Sequence, residues 1–290
     1  MALEFITDPY GWWIEPFTQS PIMVRGLLAG LLVVVSTSVI GTWMVLRGLS
    51  FLGDALAHGV LPGVAIAAVV GANRTLGALI AAAVMVVGIN VLRTRSPLPD
   101  DTSIGVLFVG FLALAVVIMS GASGSYAGDL QGFLFGQIAA VGPADLRRQA
   151  VAAAAILAGV VIGYRAFLVL SFDEVQAELL GLRPRLAHLA MLVLLAFAIV
   201  ASFQVVGNLL VFAFLIAPPA TACLLVRRVP VIMATAVAIG SVAVLVGLLI
   251  SWHHGTAAGA TIALVTVIVY IATVLLRSAL GGAVAGHRAA

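Results

Sequence analysis

The charges of this chain are confined to short groups that leave long apolar stretches between them. Only 9% of its 290 residues are charged and 63% are hydrophobic, whereas a soluble domain carries roughly 25% charged residues. A helix needs about 20 mostly apolar residues to cross the hydrocarbon core of a membrane, and stretches of about that length follow one another here. The sequence therefore predicts an all-α, polytopic transmembrane bundle that forms one domain over residues 1–290.

Nine spans are predicted, with eight or ten as alternatives. Their expected bounds are 23–46, 55–72, 75–92, 103–120, 144–170, 188–206, 208–226, 230–251 and 257–276. Residues 1–21 contain Glu4, Asp8 and Glu15, unlike a secretory signal, and their aromatic side chains predict a retained interfacial segment. The glycine-rich stretch 121–146 is expected to form an outer loop or re-entrant turn, and residues 278–290 a mobile tail.

Arginines follow alternate spans and thereby orient the bundle. They lie after spans one, three, five, seven and nine, at Arg47, Arg93, Arg95, Arg183, Arg185, Arg227, Arg228 and Arg277. Because cytoplasmic loops near span ends carry excess positive charge, this side is predicted to be cytoplasmic and the N-terminus to lie outside. Arg74, Arg147 and Arg148 are exceptions on the outer side.

All fourteen basic residues are arginines, so the chain contains no lysine. A Walker A loop requires a lysine at the nucleotide phosphates, and ATP hydrolysis would therefore have to come from a partner. The formal charge of +3, without a concentrated basic face, does not indicate nucleic-acid binding. The single cysteine, Cys223, excludes an intrachain disulfide.

Asp54 and His58 place two ionisable side chains inside the second predicted span, in FLGDALAHGVLPG. Residues four apart on a helix share one face, and an ionisable group at the membrane centre costs about 2.5–3.5 kcal/mol on insertion scales. A carboxylate with a neutral imidazole suits zinc, manganese or iron(II). The residues alone leave two interpretations open, a pair of metal ligands or polar side chains that hydrogen-bond between packed helices.

Three prolines are predicted to interrupt helices. Pro62 has no N–H to donate to the carbonyl of His58, four residues back, so this carbonyl is expected to be free beside the pair. Pro218 and Pro219 free two further carbonyls in span seven, where a packed kink is the expected outcome.

The remaining polar candidates receive structural interpretations. Gln204 and Asn208, four apart, are expected to hydrogen-bond between helices. His188 is expected at the membrane interface, and His253 and His254 at the outer mouth are not assigned to the site.

The segment LSFDEVQAELLGLRPRLAH between spans five and six predicts a short cytoplasmic helix. Ser171 and Glu174 match the S-x-x-E capping box that begins a helix, and Gly181 is a typical residue just past a helix end. A partial apolar face is formed by Val175, Leu179 and Leu180. The pattern fits either a simple connection or a helix that docks on a partner.

Five segments, in this order and spacing, resemble the permease subunit of ATP-binding-cassette importers for manganese, zinc and iron(II). They are LRGLSFLGDALAHGVLPGVAIA, DDTSIGVLFVGFLAL, DLQGFLFGQIAAV, SFDEVQAELLGL and QVVGNLLVFAFLIAPPATACLL. The resemblance extends over nearly the whole chain, from about residue 22 to 276.

The resemblance implies a fold related to that of cobalamin and siderophore importer permeases, in a bacterial cytoplasmic membrane. It implies a second permease copy as a homodimer, ATPase subunits on the cytoplasmic side and a metal-loaded extracytoplasmic binding protein. Asp54 and His58 would coordinate the zinc or manganese ion in transit, with no resident cofactor. Residues 173–181 would form the coupling helix that enters a cleft on the ATPase, with coupling residues at Asp173, Glu174, Ala177 and Gly181.

Two other classes of protein remain as alternatives. A secondary transporter driven by protons or sodium through Asp54 would need no ATPase, and the short cytoplasmic helix would have nothing to dock on. An intramembrane hydrolase would require a motif such as H-E-x-x-H or G-x-S-x-G, and the sequence contains neither.

Overall fold

The computed structural model of the chain describes residues 9–95, 100–121 and 140–288, which contain helices and no strand. The helices are α1 (Pro9–Trp13), α2 (Glu15–Gln19), α3 (Pro21–Leu46), α4 (Ser50–Gly59), α5 (Leu61–Val69), α6 (Arg74–Arg95), α7 (Asp100–Gly121), α8 (Pro143–Phe172), α9 (Glu174–Leu179), α10 (Pro184–Val206), α11 (Asn208–Leu225), α12 (Val229–His254) and α13 (Ala258–Arg288). The predicted all-α class is confirmed.

Nine candidate spans are present within the described ranges, each long and apolar enough to cross a membrane. Helices α4 and α5 together make one of them, Ser50–Val69, which begins before the predicted residue 55. Helix α13 continues to Arg288, into the segment predicted as a tail. Most of the glycine-rich stretch 121–146 lies outside the described residues, so the expectation of an outer loop there is not addressed.

The N-terminal helix α1 lies beside the outer end of α12. The ring of Trp12 stacks on that of His253 at a centroid distance of 4.7 Å. Nε2 of His253 lies 3.2 Å from the carbonyl oxygen of Trp12, which can only accept a hydrogen bond, so Nε2 is the donor. The described part of the predicted interfacial segment is therefore attached to the bundle.

Helix α3 forms the centre of the bundle, because it packs against α8, α10, α11 and α12. Trp43 is fully buried and meets Tyr164 and Phe167 of α8 edge to face, at centroid distances of 5.5 and 5.9 Å. Small residues allow close helix contact: a Cβ at Gly30 would collide with Val244 of α12, and one at Gly240 with Val34 of α3. This central packing supports the helices that carry the candidate site.

Two polar contacts join helix ends on the side that the arginines mark as cytoplasmic. Arg47, just after α3, lies 2.6 Å from Nδ1 of His188 in α10, and Arg93 of α6 pairs with Glu174 of α9. Since a guanidinium only donates, Nδ1 accepts and the imidazole of His188 is neutral. His188 is 3% exposed, so neighbouring helices cover it at this end of the bundle.

Candidate functional site

The aspartate and histidine of the second span form a contact on one face of α4. Nε2 of His58 lies 3.4 Å from Oδ1 of Asp54, and the two side chains are 26% and 28% exposed. Their separation of four residues brings them together over one helical turn. The pair is thus accessible from outside this single chain, although it sits in an apolar span.

Helix α7 contributes an aromatic wall to this pair. The ring of Phe108 meets that of His58 at 69° and a centroid distance of 5.7 Å, and it also contacts Phe51 at 5.7 Å. Nδ1 of His58 is buried and has no hydrogen-bond partner among the described residues. The imidazole is therefore held by packing on one side, while its polar atoms make only one long contact, to Asp54.

The backbone next to the pair is interrupted at Val60. Helix α4 ends at Gly59 and α5 begins at Leu61, with Pro62 in its first turn. Val60 keeps helical backbone angles, φ −78° and ψ −18°, and its N–H is directed toward the carbonyl of His58. Pro62 has no N–H to donate to this carbonyl, so the regular helical hydrogen bond is missing beside the pair.

Helix α6 packs closely against both halves of this interrupted span. A Cβ on Gly59 would overlap Sδ of Met85, and a Cβ on Gly63 would overlap the carbonyl oxygen of Gly77. Gly63 is needed because the backbones of α5 and α6 touch there, and Gly59 leaves room for the side chain of Met85. The position of α6 is therefore coupled directly to the helix that carries Asp54 and His58.

The two prolines of α11 do not break their helix, contrary to the prediction, and the helix continues from Asn208 to Leu225. Both prolines are buried, and α3 covers the carbonyls that they leave without helical donors. Oγ of Ser38 lies 3.4 Å from the carbonyl oxygen of Phe214, and a Cβ on Gly41 would overlap the carbonyl oxygen of Leu215. This region is a packed contact between helices.

The predicted coupling helix is α9, and its start differs from the prediction. Ser171 still belongs to α8, where its hydroxyl donates to the carbonyl of Phe167. Asp173 is the N-cap, and its carboxylate accepts from the N–H of Gln176 at 3.0 Å. The expected capping box is absent because α8 stays helical to Phe172, which moves the helix boundary past Ser171.

The C-terminus of α9 agrees with the prediction. Gly181 adopts a φ of +71°, its N–H donates to the carbonyl of Glu178, and the next N–H, of Leu182, donates to Ala177. These two bonds form a Schellman motif, which glycine favours at this position. The side chain of Ala177 is fully buried and faces the bundle rather than a partner.

The outward surface at α9 includes three apolar side chains. Val175, Leu179 and Leu180 are 68%, 83% and 50% exposed, next to the acidic first residue, Glu174. Exposed apolar side chains on the cytoplasmic side of a membrane protein, beyond the spans, are typical of a surface that contacts another protein. The structure thus places the predicted apolar face where a partner can reach it.

No group of three or more His, Cys, Asp or Glu side chains comes together among residues 9–95, 100–121 and 140–288. His253 and His254 lie at the outer end of α12 and hydrogen-bond to backbone carbonyls. Asn208 is buried with its Oδ1 unpartnered in the described part, and the side chain of Gln204 lies outside the described residues. One chain therefore offers two candidate metal ligands at α4.

Sequence reasoning missed Phe108 and the contacts of Arg47 and Arg93. Each of them acts across helices distant in the sequence, and nothing in the local pattern around Asp54 or Glu174 indicates which residue lies opposite. Phe108 does fall in DDTSIGVLFVGFLAL, one of the five segments that carry the family resemblance.

Comparisons with known proteins agree with this architecture. Residues 19–277 match the ABC 3 transport family. The chain is 36% identical over 258 residues to the "Manganese transport system membrane protein MntC" of Listeria innocua, covering 89% of this chain and 91% of that protein. It is 33% identical to the "Probable iron transport system membrane protein" of Haemophilus influenzae, covering 88% and 93%.

A solved structure, "PsaBC from Streptococcus pneumoniae in complex with Fab", superposes with a TM-score of 0.79 at 31% identity, covering 90% of this chain and 94% of that chain. Both the helical fold and the sequence are therefore shared with ABC permeases over almost the full length. With nine apolar spans and a family match over residues 19–277, the chain belongs to the ABC 3 transport family, as a multi-pass permease of the bacterial plasma membrane.

Proposed function

We propose that this permease carries manganese or iron(II) into the cell as part of an ATP-driven importer, with Asp54 and His58 as ligands of the ion in transit. The observation that carries the proposal is the part-exposed Asp54–His58 contact on an interrupted span. Manganese and iron are the metals named for the relatives compared above. Zinc, which the ligand types also allow, has no such support.

The pair is better explained as a ligand set than as polar packing. Ionisable groups within a span are costly and mark pathways more often than structural contacts. A structural hydrogen bond would use the polar atoms of the imidazole, yet Nδ1 of His58 has no partner in the described part and Nε2 makes one contact of 3.4 Å. An incoming cation would use a donor set that the fold leaves incompletely satisfied.

Two ligands are too few to replace the hydration shell of a divalent ion. A second permease copy, with its own Asp54 and His58 facing the first pair, would provide four side-chain ligands, and water would complete the octahedral shell that manganese prefers. The partial exposure of both side chains in the single chain fits such an arrangement. A site shared between two copies can also be opened by a small relative movement, which a transport site requires.

ATP hydrolysis is assigned to separate subunits that dock on α9. The chain lacks the lysine of a Walker A loop, and α9 presents Val175, Leu179 and Leu180 to the cytoplasm. Closure of two ATPases would draw the coupling helices of both permease copies together and change access to the ion. An extracytoplasmic binding protein would deliver the metal at the opposite side.

The proposal is tested by measuring cellular manganese, iron and zinc by mass spectrometry in cells without other uptake routes. The cells express the permease together with its ATPase and binding protein. We expect Asp54→Asn and His58→Ala to lower accumulation of manganese or iron by about tenfold or more, because even residues behind the ligands contribute about 10–100-fold to metal affinity.

Matched controls separate the site from general effects of the substitutions. Asp101→Asn and His254→Ala change the same residue types at exposed positions away from the pair, and both should accumulate metal like the wild type at equal membrane expression. Wild-type uptake by both pair variants would assign Asp54 and His58 to helix packing. Uptake that persists without the ATPase would instead identify a secondary transporter.

A further inference from the structure

An ion pair connects the coupling helix to a membrane span that is not its neighbour in the chain. Nη2 of Arg93, near the end of α6, lies 3.1 Å from Oε2 of Glu174, the first residue of α9, and 3.5 Å from Oε1. The side chain of Arg93 is 21% exposed and that of Glu174 49% exposed. The contact thus sits at the edge of the bundle, where α9 meets the cytoplasm.

The helix that carries Arg93 is also the helix packed against the interrupted span. Met85 of α6 faces Gly59, directly after the metal pair, and Gly77 of α6 touches Gly63, directly after Pro62. With a rise of 1.5 Å per residue, Met85 lies about 12 Å from Arg93 along the helix axis. A displacement at Arg93 is therefore delivered by one rigid helix to both sides of Val60.

The ion pair matters for coupling because α9 and α6 are not consecutive in the chain. Helix α9 is joined covalently to α8 and α10, which must follow it when it moves, whereas α6 can respond only through non-covalent contacts. Helix α6 also packs on α10, and the charge pair joins its cytoplasmic end directly to α9.

We propose that Arg93, through Glu174, is a positioning residue that transmits movement of the coupling helix to α6 and from there to the Asp54–His58 pair. The proposal deepens the function above and rests on it, since it concerns how ATP hydrolysis is linked to the metal site. The pair contributes little to folding, because part-exposed ion pairs are worth little in stability. Its loss should uncouple transport without unfolding the protein.

The test uses the complete transporter, permease with ATPase and binding protein, in proteoliposomes, and measures manganese uptake and ATP hydrolysis on the same vesicles. The variants are Arg93→Gln, Glu174→Gln and the charge exchange Arg93→Glu with Glu174→Arg. Arg95→Gln is the control, because this exposed neighbour has no ion pair in the described part of the chain.

We expect both single variants to retain the ATPase subunits and ATP hydrolysis while the ions transported per ATP fall about two- to thirtyfold, the range of couplings measured between distant sites. The charge exchange should recover at least half of the loss, since attraction between the two positions is restored. Arg95→Gln should match the wild type. This recovery distinguishes a pairwise role from a merely structural one.

Unchanged ions per ATP in the single variants would overturn the proposal, and so would a loss that the charge exchange does not repair. Loss of the ATPase subunits from the single variants would assign the pair to assembly and would equally overturn it. Failure of the proposed function has a different signature, because the wild-type vesicles would then show no ATP-driven metal uptake at all.

Discussion

Two spans of this permease contain prolines, and they use them differently. In the span Ser50–Val69 the helix is interrupted at Val60, two residues before Pro62, and the adjacent Asp54–His58 pair stays about a quarter exposed. In α11 the helix runs unbroken through Pro218 and Pro219, and α3 covers the carbonyls that they leave without donors.

The difference shows that a proline by itself does not make a site. A missing N–H frees a carbonyl in both spans, and the surroundings decide what becomes of it. In α11, the hydroxyl of Ser38 and the backbone at Gly41, both in α3, cover the two carbonyls. Beside α4, the described neighbours leave polar atoms of the pair unsatisfied, and this unsatisfied set is what a cation could use. Substitutions in the two spans test this difference.

Gly41→Ala, at the contact between α3 and α11, is expected to have the largest effect, a loss of stability. The added Cβ would fall on the carbonyl group of Leu215, and backbone atoms cannot move aside as a flexible side chain can. Overpacking of this kind costs about 1–3 kcal/mol, occasionally more. Thermal unfolding in detergent should therefore show a clearly lowered Tm or no folded protein.

Gly110→Ala is the matched control, since nothing lies within 4 Å of a Cβ at that position of α7. It should leave the Tm unchanged or raise it slightly, because alanine favours a helix over glycine. Equal Tm values for the two variants would contradict the close contact between α3 and α11.

An intermediate effect, on metal uptake, is expected when a proline is replaced by alanine, which restores the backbone N–H. Pro62→Ala supplies an N–H for the carbonyl of His58, which would continue the helical hydrogen bonding past Val60 and shift the pair beside it. Metal uptake should fall about three- to tenfold, equivalent to about 0.7–1.4 kcal/mol. Pro218→Ala should leave uptake near the wild-type value, because α11 is already continuous. A larger loss for Pro218→Ala than for Pro62→Ala would reverse the assignment of the two regions.

The smallest effect is expected from Ser38→Ala, which removes the hydroxyl that covers the carbonyl of Phe214. A net hydrogen bond is worth about 0.5–1.5 kcal/mol, and the separation of 3.4 Å places this one at the low end. Denaturation in detergent should show a small loss of stability with normal uptake. Ser241→Ala, whose hydroxyl bonds within its own helix, should cost less. A loss of metal uptake in Ser38→Ala would show that the contact between α3 and α11 is part of the ion pathway.

The sequence was sufficient for those parts of the fold that depend on local composition. Apolar length fixes the spans, and the nine predicted ones correspond to the nine observed within the described ranges. Loop charges predict that Arg47 and Arg93 lie on one side of the membrane, and their contacts with His188 and Glu174 lie at adjacent helix ends.

Features that depend on tertiary packing were not predictable in this way. The capping box at Ser171 fitted the sequence pattern, but continued helix in α8 placed the cap at Asp173. Phe108 meets His58 from a separate helix, and a single sequence carries no signal for that contact. The pair itself was recognisable, because ionisable residues in an apolar span stand out against their surroundings.

The most direct test of His58 as a ligand of the transported ion is electron spin-echo spectroscopy of Mn²⁺ bound to the purified transporter in its complete form. Imidazole bound to manganese gives a nitrogen hyperfine coupling that water and carboxylate ligands do not give. We expect this coupling in the wild type and in His254→Ala, and its loss in His58→Ala. A wild type without nitrogen coupling, or a coupling that survives in His58→Ala, would contradict the assignment of His58 as a ligand of the transported ion.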